Sequence, residues 1–435
     1  MSHVVILCPP AHGHINPLAC LGRVLQARGH RVTMPQILDM EGTVVRNGLE
    51  YLPLAEKDFP RGWLPGFEAK LGGLRGPALA RATVQAAAVG VAATAGNSNT
   101  MRTLAADLLL VDQFWQQGSS IAEHFALPFV TVCCGQAMVR ENAIPPSWTG
   151  LSYSPSLLAA LRNNLTYAAT DLMVRPLVKA LNDLRRKWRL KPLRRLDDCY
   201  SPFAILAQQP AAFDYPRRAL PDCFHYTGPF HDSRGRPPVP FPFEQLNGKP
   251  LIYASMGTVG NRVEQVFLEI ARACVGLDAQ LVVSLGGGKT PAQIGALPGA
   301  PLVVGYAPQL DLLARSALTI THAGMNTALE SLSFGVPMVA IPVSYDQPGV
   351  AARVKWTGAG EVLPLARLRS DRLRPLVERV LTQKSYRLHA TRLQAEIRKV
   401  DGVNRSADIV ERILSTGKPV LRYATAPSAT KARLT

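Results

Sequence analysis

The sequence has no apolar run of the roughly 20 residues that a membrane-spanning helix requires. Its Ala-rich stretch at 86–96 is short and weakly apolar, and the apolar run at 4–8 has only the length of a strand before Pro9. Neither therefore predicts a membrane span or a signal peptide. The seven cysteines are odd in number and scattered, so they provide no disulfide framework. These absences predict a cytoplasmic protein with reduced thiols.

Acidic residues are scarce, since the chain has 31 Asp and Glu but 48 Lys and Arg, which gives a net charge of +17. Such a surplus can indicate nucleic-acid binding, but aromatic rings do not interleave the basic clusters, apart from Trp188. We therefore predict no nucleic-acid partner. The clusters are interpreted as a solvated basic helix end and tail, with attraction to an anionic membrane surface as the alternative. One cluster follows Lys384, and the other comprises Arg185, Arg186, Lys187, Arg189, Lys191, Arg194 and Arg195.

Alternating strand and helix patterns predict two α/β halves, because 435 residues exceed what a single core usually supports. After a short apolar strand at the start of the chain, strands are expected within 28–36, 250–258 and 335–342 and at 108–111, 129–133, 203–207, 280–284, 302–304 and 317–321. Helices are expected at 18–28 and 263–274. The predicted boundaries are 1–230 for the first domain, 231–249 for a Pro-rich linker, 250–400 for the second domain, 401–417 for a helix that can cross back to the first domain, and 418–435 for a loose tail. Ligands bind beyond the carboxyl ends of parallel strands, so the cleft between the halves is the expected site.

The block at 305–347 places a ring, a turn, a carboxylate and an amide at fixed offsets. Gly324 stands at a turn before a helical run, where Asn326 and Thr327 can add side-chain donors to the free N–H groups of the first helical turn. This arrangement suits a diphosphate, and Glu330, about one turn further, can accept from two ribose hydroxyls. The same residue types are also common in turns and helix caps, so a nucleotide-sugar site and a structural turn both remain open on these residues alone.

His14 follows the first strand, in the turn 13–17, and Asp112 ends a later strand, so both should reach the same edge of the sheet. A histidine can act as a general base at neutral pH, and a bonded carboxylate fixes its tautomer. Alternatively, His14 or its neighbour His12 caps the helix or lines a pocket. No Cys or carboxylate stands nearby at metal-ligand spacing, so no metal site is predicted. Asp107 starts its strand and should face away from the cleft.

The block resembles the signature of the UDP-dependent glycosyltransferases of family 1, which reads W-x-P-Q, then H-C-G-W-N-S-x-x-E, then D-Q. Here the corresponding segments are YAPQ at 306–309, HAGMNTALE at 322–330 and DQ at 346–347, with Tyr in place of the usual Trp. The G-H-x-x-P context of His14 and the strand end at Asp112 match the family's first half. The whole chain is most similar to bacterial members near the zeaxanthin and macrolide glucosyltransferases.

This resemblance implies a GT-B fold, in which two Rossmann-like domains face each other across a cleft, the first binding the acceptor and the second the nucleotide sugar. It implies inverting transfer of a hexose, glucose by family analogy, from a UDP-sugar to a hydroxyl of a hydrophobic acceptor such as a carotenoid, macrolide, terpenoid or phenolic. No cofactor beyond the donor is expected. The chain has no Asp-x-Asp pair, which agrees with a reaction that needs no metal.

The resemblance also implies a role for each matching residue. His14 would be the catalytic base and Asp112 its partner, Tyr306 would stack on uracil, and Asp346 with Gln347 would hold the sugar. The full set of implied donor contacts is Ser255, Thr258, Tyr306, Ala307, Gln309, His322, Gly324, Asn326, Thr327, Glu330, Asp346 and Gln347. Two alternatives are a UDP-sugar epimerase of the same architecture and a non-catalytic partner protein that keeps the fold.

Overall fold

The computed structural model describes residues 1–74, 76–96, 102, 104–232, 239–257 and 264–422. Within these ranges, two parallel sheets form, one of seven strands in the order β3-β2-β1-β4-β5-β6-β7 and one of six in the order β10-β9-β8-β11-β12-β13. Helices pack on the sheets, and each half has its own apolar core. None of the helices in the described ranges combines the length and apolar character needed to span a bilayer.

The first half contains the strands β1 (His3–Leu7), β2 (Arg31–Gln36), β3 (Glu50–Pro53), β4 (Leu108–Asp112), β5 (Phe129–Cys133), β6 (Ala204–Ala207) and β7 (Phe224–Tyr226). Its helices are α1 (His12–Ala27), α2 (Glu41–Arg46), α3 (Trp63–Gly72), α4 (Gly76–Gly96), α5 (Gln117–His124), α6 (Leu157–Met173) and α7 (Arg175–Lys187). Helices α3 and α4 lie between β3 and β4 in the chain, and α6 and α7 lie between β5 and β6.

The second half contains the strands β8 (Leu251–Ser255), β9 (Gln280–Ser284), β10 (Leu302–Val304), β11 (Ser316–Thr321), β12 (Met338–Ala340) and β13 (Gly360–Val362). Its helices are α8 (Glu264–Cys274), α9 (Pro291–Ile294), α10 (Gln309–Leu313), α11 (Met325–Ser333), α12 (Gln347–Trp356), α13 (Ser370–Thr382) and α14 (Lys384–Arg398), followed by α15 (Gly402–Thr416).

The central strands form because they are continuous apolar runs, as sheets covered on both faces require. All five residues of β1 and of β4 are buried. The predicted strands at 129–133, 280–284 and 302–304 coincide with β5, β9 and β10. No strand was predicted at β3, β7 or β13. These strands are short and lie at sheet edges, where a strand has a neighbour on one side only and its sequence can be less apolar.

Helix α1 begins at His12 rather than at residue 18, so the prediction that His14 lies in a preceding turn is wrong. Pro17 lies inside the helix. Its missing N–H would otherwise bond to the carbonyl of Gly13, four residues earlier. The first turn of α1 therefore carries both an imidazole and a carbonyl that is free of its helical bond.

Helix α15 returns to the first half and packs against α1. Val403, Val410 and Ile413 belong to the first half's core, and Arg28 Nη1 lies 2.7 Å from both Asp408 and Glu411 of α15.

Residues 418–422 correct part of the predicted loose tail, since they are held on the first half. The N–H of Val420 donates to the carbonyl of Phe203 at 3.0 Å, and the carbonyl of Val420 lies 2.9 Å from Nε2 of His225. Val420 is the apolar residue that anchors this segment, because its side chain is buried in the first core. Residues 423–435 of the predicted tail lie outside the described residues.

The basic cluster at 185–195 is not wholly solvated, which corrects its interpretation in part. Arg185 is buried, and its guanidinium donates to Glu123 at 2.6 Å and to Ser120 at 3.2 Å, so that it ties α7 to α5. The reason is the amphipathic pattern of α7, which places Arg185 on the same buried side as Leu181 and Leu184. The other six basic residues of the cluster are exposed.

Candidate active site

The carboxyl ends of the central strands of both sheets meet at the boundary between the halves. The backbone N–H of Gln136, after β5, donates to Asp346 Oδ2 at 2.7 Å, and the Asn326 amide at the start of α11 donates to the Gly13 carbonyl at 2.8 Å. Such strand ends are where open α/β sheets bind ligands. These contacts bring Asn326 and Asp346 of the second half to the strand ends of the first.

His14 and Asp112 form a hydrogen-bonded pair at this cleft. Nδ1 of His14 lies 2.9 Å from Oδ2 of Asp112, whose other oxygen accepts from the N–H of Phe114 at 2.8 Å. The Asp112 side chain is fully buried, whereas that of His14 is 22% exposed. Burial disfavours the imidazolium, but the Asp112 carboxylate outweighs it and, with a smaller effect of Asp346, raises the pKa of His14 above its ordinary value. The pair can therefore accept a proton on the ring nitrogen that does not face Asp112.

Cys134 joins this pair, although no Cys stands near His14 at metal-ligand spacing in the sequence. Ligand atoms of His14, Asp112 and Cys134 all lie within 4.8 Å of one another. The adjacency of β1, β4 and β5 brings these three together, which local spacing cannot reveal. Burial and the nearby Asp112 raise the pKa of the Cys134 thiol well above its usual range, so the sulfur stays protonated. The arrangement suits an imidazole that takes up a proton beside a carboxylate.

The turn between β11 and α11 has the geometry that anion binding requires. Gly324 is the N-cap of α11, and Ala323 before it has a φ of 63°, a conformation that is costly for a non-glycine residue and is common at functional sites. The unpaired N–H groups of the first turn of α11 point out of the helix end, where a partial positive charge favours a phosphate. Thr327, in the same turn, is buried.

His322 lies between two glycines. A Cβ at Gly257 would come within 2.5 Å of the His322 ring, and one at Gly324 would overlap Nε2 of the same ring. Burial lowers the pKa of His322 to about 4, against the opposing effect of a hydrogen bond with the backbone of Ser255. The ring is therefore neutral at physiological pH and can serve as a hydrogen-bond donor without carrying charge.

Gln309 and Glu330, predicted as a ribose-binding pair, contact each other. Nε2 of Gln309 donates to Glu330 Oε2 at 2.5 Å, and the hydroxyl of Tyr253 donates to Gln309 Oε1 at 3.1 Å. Glu330 is only 2% exposed, whereas Tyr306 is 49% exposed. Ala307 is buried beside Tyr253 in a small apolar cluster. The carboxylate is thus held in place while the ring of Tyr306 remains open for stacking.

Asn326 is engaged at both ends by the first half. Its Nδ2 donates to the Gly13 carbonyl freed by Pro17, and its Oδ1 accepts from Nε2 of Gln208 at 2.7 Å. Gln208 follows β6 and was not predicted. The spacing of Gly13 and Pro17 is the sequence signal that could have indicated a carbonyl available to an external donor.

Asp346 and Gln347 are held by backbone contacts. Besides accepting from Gln136, Asp346 has its pKa raised by burial, net of that hydrogen bond. A Cβ at Gly135 would come 2.6 Å from Asp346 Oδ2, so glycine is required for this approach. Gln347 Oε1 accepts from the N–H groups of residues 343 and 344, both at 2.9 Å. The amide oxygen of Gln347 is therefore used within its own loop.

The remaining predicted residues belong to the turn after β8. Ser255 is buried at the end of that strand, and its hydroxyl accepts from the N–H of Gly257 at 3.4 Å. Thr258 lies outside the described residues, so its predicted contact has no structural counterpart here.

Gln136 is a site residue that sequence reasoning missed. Its side chain is fully buried, and within the described ranges neither its Oε1 nor its Nε2 has a hydrogen-bond partner. Buried polar atoms without partners are rare and need an explanation. Its position just beyond the carboxyl end of β5, next to β4, is the signal that could have identified it.

A second missed feature joins the two halves beside the cleft. Arg353 of α12 donates through Nε to Asp214 Oδ1 at 2.7 Å, and both side chains are only 1% exposed. Arg217 and Tyr226 bind the other oxygen of Asp214 at 3.2 and 2.9 Å. Burial alone would raise the pKa of Asp214, but Arg353 and Arg217 lower it to about 2. This buried ion pair therefore connects the second half to the first.

Comparison with known proteins gives a consistent result. Residues 79–405 match the family model described as UDP-glucoronosyl and UDP-glucosyl transferase. The chain is 30% identical to the zeaxanthin glucosyltransferase of Pantoea ananas, with 98% of this chain and 100% of that protein covered. It is 31% identical to the zeaxanthin glucosyltransferase of Pseudescherichia vulneris, with 97% and 100% covered.

The fold is also shared with a solved structure. The crystal structure of the calicheamicin glycosyltransferase CalG4 aligns with a TM-score of 0.70 at 22% identity, covering 96% of this chain and 100% of that one. The predicted GT-B arrangement of two Rossmann-like halves is thereby confirmed.

Proposed function

Since the chain belongs to the UDP-glucoronosyl and UDP-glucosyl transferase family and so moves a sugar from a nucleotide donor to a small-molecule acceptor, we propose that it inverts the anomeric carbon while transferring glucose from UDP-glucose. The observation that carries the proposal is the hydrogen bond of 2.9 Å between His14 and Asp112, at the cleft that faces α11. A paired imidazole there can activate a hydroxyl beside the donor.

In the proposed reaction, His14 is the general base. Its Nδ1–H donates to Asp112, which leaves Nε2 to take the proton of the acceptor hydroxyl. The acceptor oxygen then forms a bond to the anomeric carbon as the bond from that carbon to the UDP oxygen breaks. A single displacement turns an α-linked donor into a β-glycoside, with UDP as the leaving group.

The donor is proposed to bind mainly to the second half. Tyr306 and the adjoining Ala307 would hold uracil, and Gln309 with Glu330 would hold ribose. His322, Asn326, Thr327 and the N–H groups after Gly324 would receive the diphosphate, helped by Ser255 and Thr258. Neutral His322 donates without needing a counter-charge, because its pKa is about 4. Asp346 and Gln347 would contact the sugar, Gln347 through its amide nitrogen because its oxygen is used within the loop.

Asn326 would change partners when the donor binds. In the structure its amide bonds to Gly13 and Gln208 of the first half. A diphosphate at α11 would compete for the Nδ2 group, and a small opening of the cleft would release it. In this proposal, the bonds from Asn326 to Gly13 and Gln208 hold the two halves together until the donor replaces them.

The proposed acceptor is a hydrophobic alcohol, with a hydroxylated carotenoid favoured over a macrolide, terpenoid or phenolic. Its support is similarity to two proteins named zeaxanthin glucosyltransferase over nearly the full chain. A UDP-sugar epimerase would need acid and base groups around the sugar itself, and a non-catalytic relative would have no need to keep the buried pair of Asp112 and His14. The pair therefore favours transfer over both alternatives.

Transfer is tested with purified protein, UDP-glucose and either zeaxanthin or a panel of terpenoid and phenolic alcohols. Wild type should release UDP and form a β-glycoside without added metal, and His14→Ala should lose this activity while the control variant His389→Ala, on α14, keeps it. Unchanged transfer by His14→Ala would refute the base assignment. Absence of any carotenoid glycoside would refute the acceptor, and conversion of UDP-glucose into another UDP-sugar would identify an epimerase.

A further inference from the structure

The solvent-facing side of helix α6 is mostly apolar. Five leucines on it are 56–89% exposed, and the other exposed positions of the helix are Asn164, Ala168 and Ala169. These leucines, which we call the leucine face, are Leu157, Leu158, Leu161, Leu165 and Leu172. The face is roughly 22 Å long, from the helical rise of about 1.5 Å per residue.

The charged residues of α6 do not interrupt this face. Arg162 is half-buried and donates to the carbonyl of Ser152 at 2.9 Å, while Asp171 pairs with Arg140 at 2.6 Å. In the rest of the described chain, exposed leucines occur singly, at Leu388 and Leu421. Single exposed apolar residues need no explanation, but a continuous exposed patch indicates a binding surface.

Basic residues follow the leucine face in the chain. Helix α7 follows α6 directly, and Arg175 at its start, Lys179 one turn later and Arg186 with Lys187 at its end are exposed. Asp183 pairs with Lys179 at 2.7 Å and with Arg186 at 3.0 Å, so this helix still carries a surplus of positive charge. The chain as a whole carries a net charge of +17. Leucines on one surface with lysine and arginine beside them are the composition of elements that lie in the interface of anionic membranes. Two copies of so basic a chain would repel each other, which disfavours a second copy as the occupant.

The leucine face is also connected to the cleft. The loop that leaves β5 passes Gln136 at Asp346 and then Ser147, whose carbonyl is so close to Gly349 that no side chain would fit there. Helix α6 is fastened to this same loop, since Asn163 donates to the carbonyl of residue 142 at 3.1 Å and Tyr167 to that of residue 144 at 3.2 Å. A binding partner of the leucine face would therefore lie near the cleft.

We propose that the leucine face and the basic residues of α7 form a docking surface for an anionic lipid bilayer. The leucines enter the boundary between headgroups and acyl chains, and Arg175 and Lys179 meet lipid phosphates. This docking does not depend on which acceptor the enzyme uses, although it would deliver a membrane-dissolved acceptor to the cleft.

The test is co-sedimentation of the full chain with vesicles of phosphatidylcholine, with and without phosphatidylglycerol. Wild type should bind the phosphatidylglycerol vesicles, and the double variant Leu161→Gln/Leu165→Gln should lower the partition coefficient by roughly tenfold or more. The matched double variant Leu388→Gln/Leu421→Gln should leave it unchanged. Arg175→Gln/Lys179→Gln or added salt should weaken binding to the anionic vesicles only. The leucines are already exposed, so circular dichroism should show unchanged folding.

Three results would overturn the proposal. They are no binding of wild type to either vesicle, equal binding by Leu161→Gln/Leu165→Gln and wild type, or a dimer in sedimentation analysis that this double variant converts to monomer without any vesicle binding. The last would assign the face to a second copy of the chain. Transfer to a water-soluble alcohol without vesicles should be equal in wild type and the double variant, which separates loss of docking from loss of catalysis.

Discussion

The two halves build their shares of the cleft in different ways. The first half brings His14 and Asp112 together from positions 98 residues apart, through the pairing of β1 with β4. The second half supplies most of its candidate groups from one block, 305–347, in which strand, turn and helix follow one another. A site built from one contiguous block leaves a readable motif, whereas a site built by sheet adjacency leaves isolated residues.

The halves also differ in electrostatics, as their two histidines show. The Asp112 carboxylate raises the pKa of His14, while burial without a nearby charge lowers that of His322 to about 4. The same side chain is thus prepared to accept a proton in one half and to remain a neutral donor in the other. In the proposed mechanism, proton transfer and anion binding therefore belong to different halves.

The largest expected effect on activity comes from a substitution in the first half. Asp112→Asn removes the charge that orients and stabilises the His14 imidazolium, and we expect kcat to fall by roughly 10²- to 10⁴-fold with the KM for UDP-glucose little changed. Steady-state kinetics of UDP release measures both. The matched variant Asp408→Asn, in an exposed ion pair on α15, should retain activity. A raised KM with unchanged kcat would place Asp112 on the donor side instead.

The connection between the halves is tested by Asp214→Asn, which leaves the buried Arg353 without its charged partner. Breaking a buried pair in this way costs about 3–5 kcal/mol of unfolding free energy, which urea denaturation measures. Because the folded-state pKa of Asp214 is lowered to about 2, its stabilisation is present above the ordinary Asp pKa and is lost as pH falls towards 2. A wild-type-like acid transition in Asp214→Asn would contradict this assignment.

The second half is tested by Gly324→Ala. The new Cβ would overlap Nε2 of His322, so the ring must move away from the turn that is proposed to hold the diphosphate. We expect the donor KM to rise by roughly 10- to 100-fold, because small displacements of positioning groups are costly. Gly66→Ala, where a Cβ would meet open space, is the control. Unchanged donor KM would show that the His322 ring does not need this glycine.

The smallest effect is the shape of the pH profile, which distinguishes the two histidines. If His14 is the base, as proposed, it must be neutral to act, so kcat/KM should rise with pH through a midpoint above 6.5, the ordinary value for histidine. In Asp112→Asn the residual activity should rise at lower pH, because the charge that favours the imidazolium is gone. His322→Gln should lower activity without moving the midpoint. If His322→Gln moved the midpoint, the base would be His322 rather than His14.

The central strands and the block at 305–347 were predictable because their signals are local. Buried strands are apolar runs, and the turn before α11 needs Gly324 beside a short polar stretch. The start of α1 was not predictable, because Pro17 normally argues against a helix and is accommodated here by a carbonyl that Asn326 satisfies. Three of the four edge strands, β3, β7 and β13, were missed because exposure on one side weakens the apolar pattern, whereas β10 was predicted from its apolar run.

The sequence alone determined the α/β architecture, the second half's turn and the candidate pair His14 and Asp112, because periodicity and motif spacing act over a few residues. Only the tertiary structure decided that Cys134, Gln136 and Gln208 lie at the same cleft, and that Arg185 is buried. These depend on which strands are neighbours and which helix faces meet. Such adjacency is set by long-range packing, in which residues far apart in the chain bury apolar surface against each other.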